Sequence, residues 1–495
     1  MWNKIKIYLA ADSVLVFVIW QGLMIWVVRQ HAPWRDEMMN WLIATKAASL
    51  GDFFEAIRYE RNPPGQYIIQ ACFYWIGMHL PGLSEIWSKH YSSLPYVLSG
   101  ISSSFLAGLF IFRMTYMPKW FRYLIPFGLV FLMEYGMLSR NYGFAAAFLI
   151  FGAHFYREGR FKPFRIMLVL AGSMHLFFTL ISGMIFLVDA WNRRREFKAL
   201  ALESAIIAVF FLIFCGFAIP PADTSFPSQL GEMGWGFWRL PILIAHGLTG
   251  LDDFRGEFHW NQTLWHGKKI FLAFIPLIWM IWKRNFPFKK YILILLAPTL
   301  LLAGLGEYHP FRYAAIYYVV ALYLLISDKS KLKISPAFSF YVVLMVLGSL
   351  RWLIGWNPFQ ALPNYDFSGS LELKREIGEI FKDPQNLFVA NSTYLLYGVM
   401  GVMDIKGGVF VPGRNRFMKH PLHKAEINNG HGNYCKWNTE EYDRRFGGRI
   451  VYLILGLNAS PPQDCPGRFD LVFKNKRDIR GQLDEKFAVY RYQRN

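Results

Sequence analysis

The sequence predicts an α-helical polytopic membrane protein with a small carboxy-terminal α/β domain. Three observations predict it. Of the 495 residues, 54% are hydrophobic and only 18% charged, far from the balance of a water-soluble domain. Apolar windows of roughly 18 to 25 residues recur as far as position 355, the length a helix needs to cross a bilayer, and about eleven crossings are counted. Basic residues fall between the apolar runs, at alternate connections.

The first run, roughly Tyr8 to Val28, is too long for a signal-peptide core and ends in Arg29, His31 and Pro33 instead of a cleavage site, so it is expected to stay as helix one. The formal charge of +19 raises nucleic acid as a partner, but that requires a basic soluble face. Here the connections 113–122, 157–165, 193–198, 283–290 and 328–333 carry 3, 4, 4, 4 and 3 Lys or Arg, while 134–140 and 306–312 carry one each. The first set is therefore expected inside and no nucleic acid is expected. Arg165 and Arg193 both belong inside, so the stretch 168–188 is expected to turn back in a short hairpin near His175 to Ser182, the alternative being a single span with one of the basic loops misassigned. The amino terminus then lies inside. The loop 29–88, the loop 220–267 and the chain from about 357 lie outside, which in a bacterial inner membrane is the periplasm.

Within loop one, a helix is expected from about Arg35 to Leu50, ending near Gly51. The segment 64–80 is apolar, but counting it as a crossing would invert every later loop, so it is read as interfacial. A transmembrane domain over 1–356 is thus followed by an α/β domain over 357–495. In the latter, NLFVAN, RIVYLIL, FDLVFK and FAVYRY are short β-like runs among Gly, Pro and Asn turns. Of four cysteines, Cys72 and Cys215 lie in apolar runs. Cys435 and Cys465 lie in the polar domain, where an oxidising compartment permits a disulfide between them.

The chemistry-bearing residues concentrate in loop one: Trp34-Arg35-Asp36-Glu37, then Gly51-Asp52, then Glu60-Arg61-Asn62-Pro63-Pro64-Gly65. Ionisable groups at a membrane interface are costly unless paired or hydrated, which marks a functional site. Asp36 and Glu37 equally suit a helix amino terminus through its dipole. Arg140 and Arg312 stand at outward helix ends against the charge pattern, either as phosphate ligands or as snorkelling side chains. The aromatics of 220–267 suit sugar faces, polyprenyl tails or headgroup anchoring.

A hydrophobic first helix, then Asp36-Glu37, then Glu60-Arg61-Asn62-Pro63-Pro64 resembles the GT-C superfamily of glycosyltransferases. The likeness is nearest to the aminoarabinose transferases of lipid A and more distant to the protein O-mannosyltransferases. It covers roughly residues 1–330 and extends to Ser139-Arg140-Asn141-Tyr142, His175 and Tyr308-His309-Pro310-Phe311-Arg312-Tyr313. It implies an inverting transfer of sugar from a polyprenyl-phosphate carrier, such as undecaprenyl phosphate, to a lipid, glycan or protein acceptor outside the cytoplasm. Asp36 takes the role of base, with Glu37 as second carboxylate. Arg61, Arg140, Arg312 and Tyr313 are candidates for the donor phosphate. Glu60 matches a metal-site position, with His175 as a further ligand, so a divalent metal is a possible cofactor. The histidines show no diagnostic ligand spacing. A transporter or flippase for a lipid-linked sugar, or a polymerase or ligase of polyprenyl-diphosphate glycans, shares most of these features. Neither needs Asp36.

Overall fold

The computed structural model describes residues 11–31, 35–47, 49–60, 62–128, 130–193, 197–217, 219, 311–327, 343, 346–347, 350, 368–390, 393–403, 405, 409–411, 416–418, 449–456, 460–463, 465, 467–476 and 486–493. Among them helices predominate, with one small sheet. The expected loop 220–267 lies outside the described residues.

Helix α1 (Ala11–Gln30) buries Ser13, Trp20, Met24 and Val27 along one stripe, while Leu15, Val18, Ile19 and Ile25 are exposed. An apolar helix whose free face is also apolar is not an amphipathic surface helix. Each exposed aliphatic side chain forgoes about 1.5–3 kcal/mol if its surroundings are water. Helix α11 (Phe197–Gly216) repeats the pattern, with Leu202, Val209, Leu212 and Ile213 exposed. Two helical stretches among the described residues, Ala11–Gln30 and Tyr91–Arg113, are long and apolar enough to cross a membrane, and three shorter ones are apolar. That is fewer than the eleven expected crossings, several of which fall outside the described residues.

Loop one folds as α2 (Arg35–Lys46), α3 (Leu50–Glu60), α4 (Gly65–His79) and α5 (Ser84–Lys89). The helix expected to run to Leu50 stops at Lys46 instead, and Gly51 lies inside α3 rather than ending α2. At 15 residues, α4 rises about 22 Å, short of the roughly 30 Å hydrocarbon core. Helix α6 (Leu94–Gly108) leads to the short α7 (Lys119–Leu124), followed by α8 (Asn141–Arg157).

The chain does turn back within 168–188, earlier than expected. Helix α9 (Phe161–Gly172) ends at Ser173–His175 and α10 (Leu176–Asn192) returns, so Leu176 to Ser182 are helix and not turn. The hairpin closes on charge. Buried Arg165 donates from Nε and Nη2 to Asp189 Oδ2 at 3.3 and 3.1 Å, and from Nη1 to Glu203 Oε2 of α11 at 2.8 Å. The Arg193 guanidinium covers the Phe161 ring at 4.2 Å. Helix α12 (Phe311–Ser327) packs against α8 in the main core.

At the carboxy-terminal end, α13 (Ser370–Lys382) and α14 (Thr393–Val402) accompany strands β1 (Asn386–Ala390), β2 (Val409–Val411), β3 (Arg416–Met418), β4 (Ile450–Gly456), β5 (Arg468–Lys474) and β6 (Phe487–Gln493). The sheet order is β3-β2-β1-β4-β6-β5. Central β1 runs parallel to β2 and β4, while β3, β5 and β6 add antiparallel edges. All four β-like runs expected from the sequence lie in this sheet; β2 and β3 have no counterpart among them. Cys465 is disulfide-bonded, Cys72 and Cys215 are free, and Cys435 lies outside the described residues.

Candidate functional site

The first turn of α2 meets the segment that opens α8. Asp36, Glu37 and Asn40 stand at i, i+1 and i+4, so they cluster towards one side of the helix, and three consecutive residues answer them. Arg140 Nη1 makes an ion pair with Asp36 Oδ2. The Ser139 amide donates to Glu37 Oε1 at 2.8 Å, and Asn40 Nδ2 donates to Asn141 Oδ1 at 2.9 Å. Arg140 has extended backbone as the residue preceding α8, which lets neighbouring positions address α2 in turn.

Glu37 is fully buried, where an unsatisfied carboxylate would be prohibitively costly. Besides Ser139, its Oε2 lies 2.9 Å from His31 Nε2 and accepts from the Tyr96 hydroxyl at 3.3 Å. His31 meets the Tyr96 ring edge-on at 4.9 Å. Glu37 thus ties the end of α1, α2, α6 and the approach to α8 together, a structural role the sequence did not distinguish from that of Asp36. Asp36 is half-buried, at the rim of this knot.

Tyr67 extends the network to α4. Its hydroxyl donates to Asn40 Oδ1 at 3.1 Å. Burial, and secondly the Glu60 carboxylate, push its phenol well above the ordinary range, against hydrogen bonds with Asn141 and Asn62 and the Arg140 charge. The phenol therefore stays protonated as a donor, and Glu60 is placed near Asp36's partners. His31, Asn40, Tyr67 and Tyr96 were missed by the sequence reading. Asn40, one polar residue within MMNWLIA, was the signal available.

The Pro63-Pro64-Gly65 step docks on the α9–α10 turn: the Gly65 amide donates to the Ser173 carbonyl at 2.7 Å. A Cβ on Gly65 would lie 2.6 Å from that carbonyl oxygen and 2.8 Å from Met174 Cε. Gly65→Ala is accordingly expected to lower stability by about 1–3 kcal/mol, measurable as a lower thermal unfolding midpoint of the purified protein. His175 follows. Its Nδ1 accepts the Phe177 amide at 3.2 Å, capping α10, and its ring lies 4.4 Å from that of Tyr142.

Asp36 and Arg140 therefore come into direct contact, with Glu37 held by the adjacent Ser139 amide, His175 reached through Tyr142 and Glu60 through Tyr67. Arg61 lies outside the described residues, and of Arg312 and Tyr313 only the helical backbone at the start of α12 is described. No group of three or more His, Cys, Asp or Glu among the described residues could hold a metal. Glu60 and His175 are both buried, and His259, His266 and His309 are outside the described residues. What the described site offers is a carboxylate paired with a guanidinium at the rim of a rigid buried network. No protein-family model matches the sequence, and no curated protein matches it significantly.

Proposed function

We propose that the chain is a membrane-embedded glycosyltransferase that moves sugar from a polyprenyl-phosphate carrier to an acceptor on the periplasmic side, with Asp36 as base. The observation that carries the reading is the Asp36–Arg140 pair. An inverting displacement needs a base on the acceptor's face of the sugar carbon and a cation on the opposite face, where the phosphate departs, so both groups must border one site. A carboxylate accepts the acceptor proton. A guanidinium stabilises the phosphate charge that develops as the sugar leaves, most strongly in the transition state. The α8 amino terminus beside Arg140 favours an anion in the same place.

In this reading Arg140 is shared: it holds Asp36 until donor phosphate arrives, then turns to the phosphate and leaves the carboxylate to the acceptor. The apolar free faces of α1 and α11 support a bilayer as the surroundings, and the knot around Glu37 supports a fixed position for α2. No step is assigned to a metal.

The test is transfer of radiolabelled sugar from a panel of polyprenyl-phosphate sugars by the purified chain in liposomes. Release of one polyprenyl phosphate per sugar transferred is expected for at least one donor. Movement of an intact donor between leaflets without transfer would instead favour a transporter, and consumption of diphosphate-linked glycan alone would favour a polymerase or ligase.

A further inference from the structure

Helix α14 belongs to the carboxy-terminal domain, yet it packs against α2. Its two sides face different bodies. Val399 and the following Met403 are buried in the core beneath the sheet, with Phe388, Val409 and Phe487. Met400 reaches both that core and the loop-one cluster of Met39, Leu42, Ile43, Phe53, Ile57 and Tyr67. Gly401 sits on Met38, which is fully buried and two residues from Asp36.

The contact has no slack. A Cβ at Gly401 would lie 2.6 Å from each of Cβ, Cγ and Cε of Met38. Retreat of a methionine tip would relieve only the last. The Cβ clash involves an atom fixed to the α2 backbone, so relief requires the two helices to move apart. The amino-terminal part of α13 adds a second tie, with Leu371 packed on the cluster of Trp20, Met24 and Leu138, one residue before Ser139. The carboxy-terminal domain therefore touches both sides of the Asp36–Arg140 pair's scaffold.

We infer that Gly401 and Met38 are positioning residues, and that α14 is a strut by which the carboxy-terminal domain sets the place of Asp36. This rests on the transferase reading for its consequence in turnover. It gives the domain a part in the reaction itself: whatever shifts the sheet, including an acceptor resting on the domain, shifts α2 with it. The donor phosphate, held on the α8 side, is not expected to feel the strut directly.

The experiment compares wild type, Gly401→Ala, Met38→Gly and the double variant in full-length protein. Gly401→Ala is expected to lower kcat about tenfold or more, since displacement of a reacting group by 1 Å can cost about a hundredfold, with the donor KM within twofold of wild type. Removing the methionine side chain makes room for the new methyl, so the double variant is expected to turn over faster than the product of the two single effects gives. Hydrogen exchange supplies a readout independent of activity: amides of residues 35–46 should exchange faster in Gly401→Ala while those of 141–157 do not change. Unchanged exchange in α2 overturns the strut, as does Gly401→Ala with kcat within twofold of wild type, or a double variant showing no coupling. A wild type that transfers no sugar overturns the transferase reading, and the exchange data then decide the mechanical contact alone.

Discussion

Asp36→Asn is expected to lower kcat for sugar transfer by about 10²–10⁴-fold, the usual contribution of a positioned general base. The amide keeps the size and much of the hydrogen bonding of the carboxylate but cannot take the acceptor's proton. It also releases Arg140 from its ion pair, so the donor KM is expected to stay level or fall. Arg140→Gln should raise the donor KM and reduce kcat as well, because the phosphate loses its cation in both the bound and the transition state. The check is a transfer assay in membranes with protein amounts matched by blot. Full activity in Asp36→Asn would remove the base from the mechanism and bring the transporter and polymerase readings forward. The Glu37 site acts differently: its loss should damage folding, because three partners on separate segments would be left without their acceptor.

The second large effect is on stability. Arg165→Ala is expected to cost about 3–5 kcal/mol, because it takes from the buried Asp189 carboxylate a guanidinium that bonds it twice. Glu203 is half-exposed and can reach water, so most of the damage should come through Asp189. The double variant Arg165→Ala/Asp189→Ala is therefore expected to be more stable than Arg165→Ala alone, although it lacks one more polar group. Thermal unfolding of detergent-purified protein measures both. A double variant less stable than the single one would mean that the cavity, and not the lost charge pairing, dominates.

These residues also show where the sequence was readable. The four strands β1, β4, β5 and β6 follow from short runs rich in apolar and aromatic residues between turn formers, a local pattern. Strands β2 and β3 are three residues each, too short to carry a period. The start of α2 was visible in its acidic first turn, but its end was not: Ala47 and Ser49 flank a break that has neither glycine nor proline, and the nearby Gly51 is absorbed into α3. Arg165 was counted as a loop charge marking the inner face, yet it lies one turn inside α9 and is buried. Composition registers a charge; only packing reveals its partner. The same holds for the site. Asp36 and Arg140 were each singled out for separate reasons, but 104 residues separate them, and no local period links positions that far apart. His31 and Tyr96 gave no signal because a lone polar ring at the end of an apolar run is ordinary.

On the proposed membrane reading, the brevity of α9 has a consequence for the lipid around it. At 12 residues, α9 rises about 18 Å against a hydrocarbon thickness of about 30 Å. With its basic end at the inner face, as that reading has it, its tip and the Pro-Pro-Gly step resting on it would end well beneath the opposite headgroups. The outer leaflet would then have to dimple or admit water there. A phosphate on a polyprenyl tail would then meet Arg140 without leaving its own depth, while a water-soluble acceptor would have to descend to it, making local bilayer thickness a determinant of which acceptors are served.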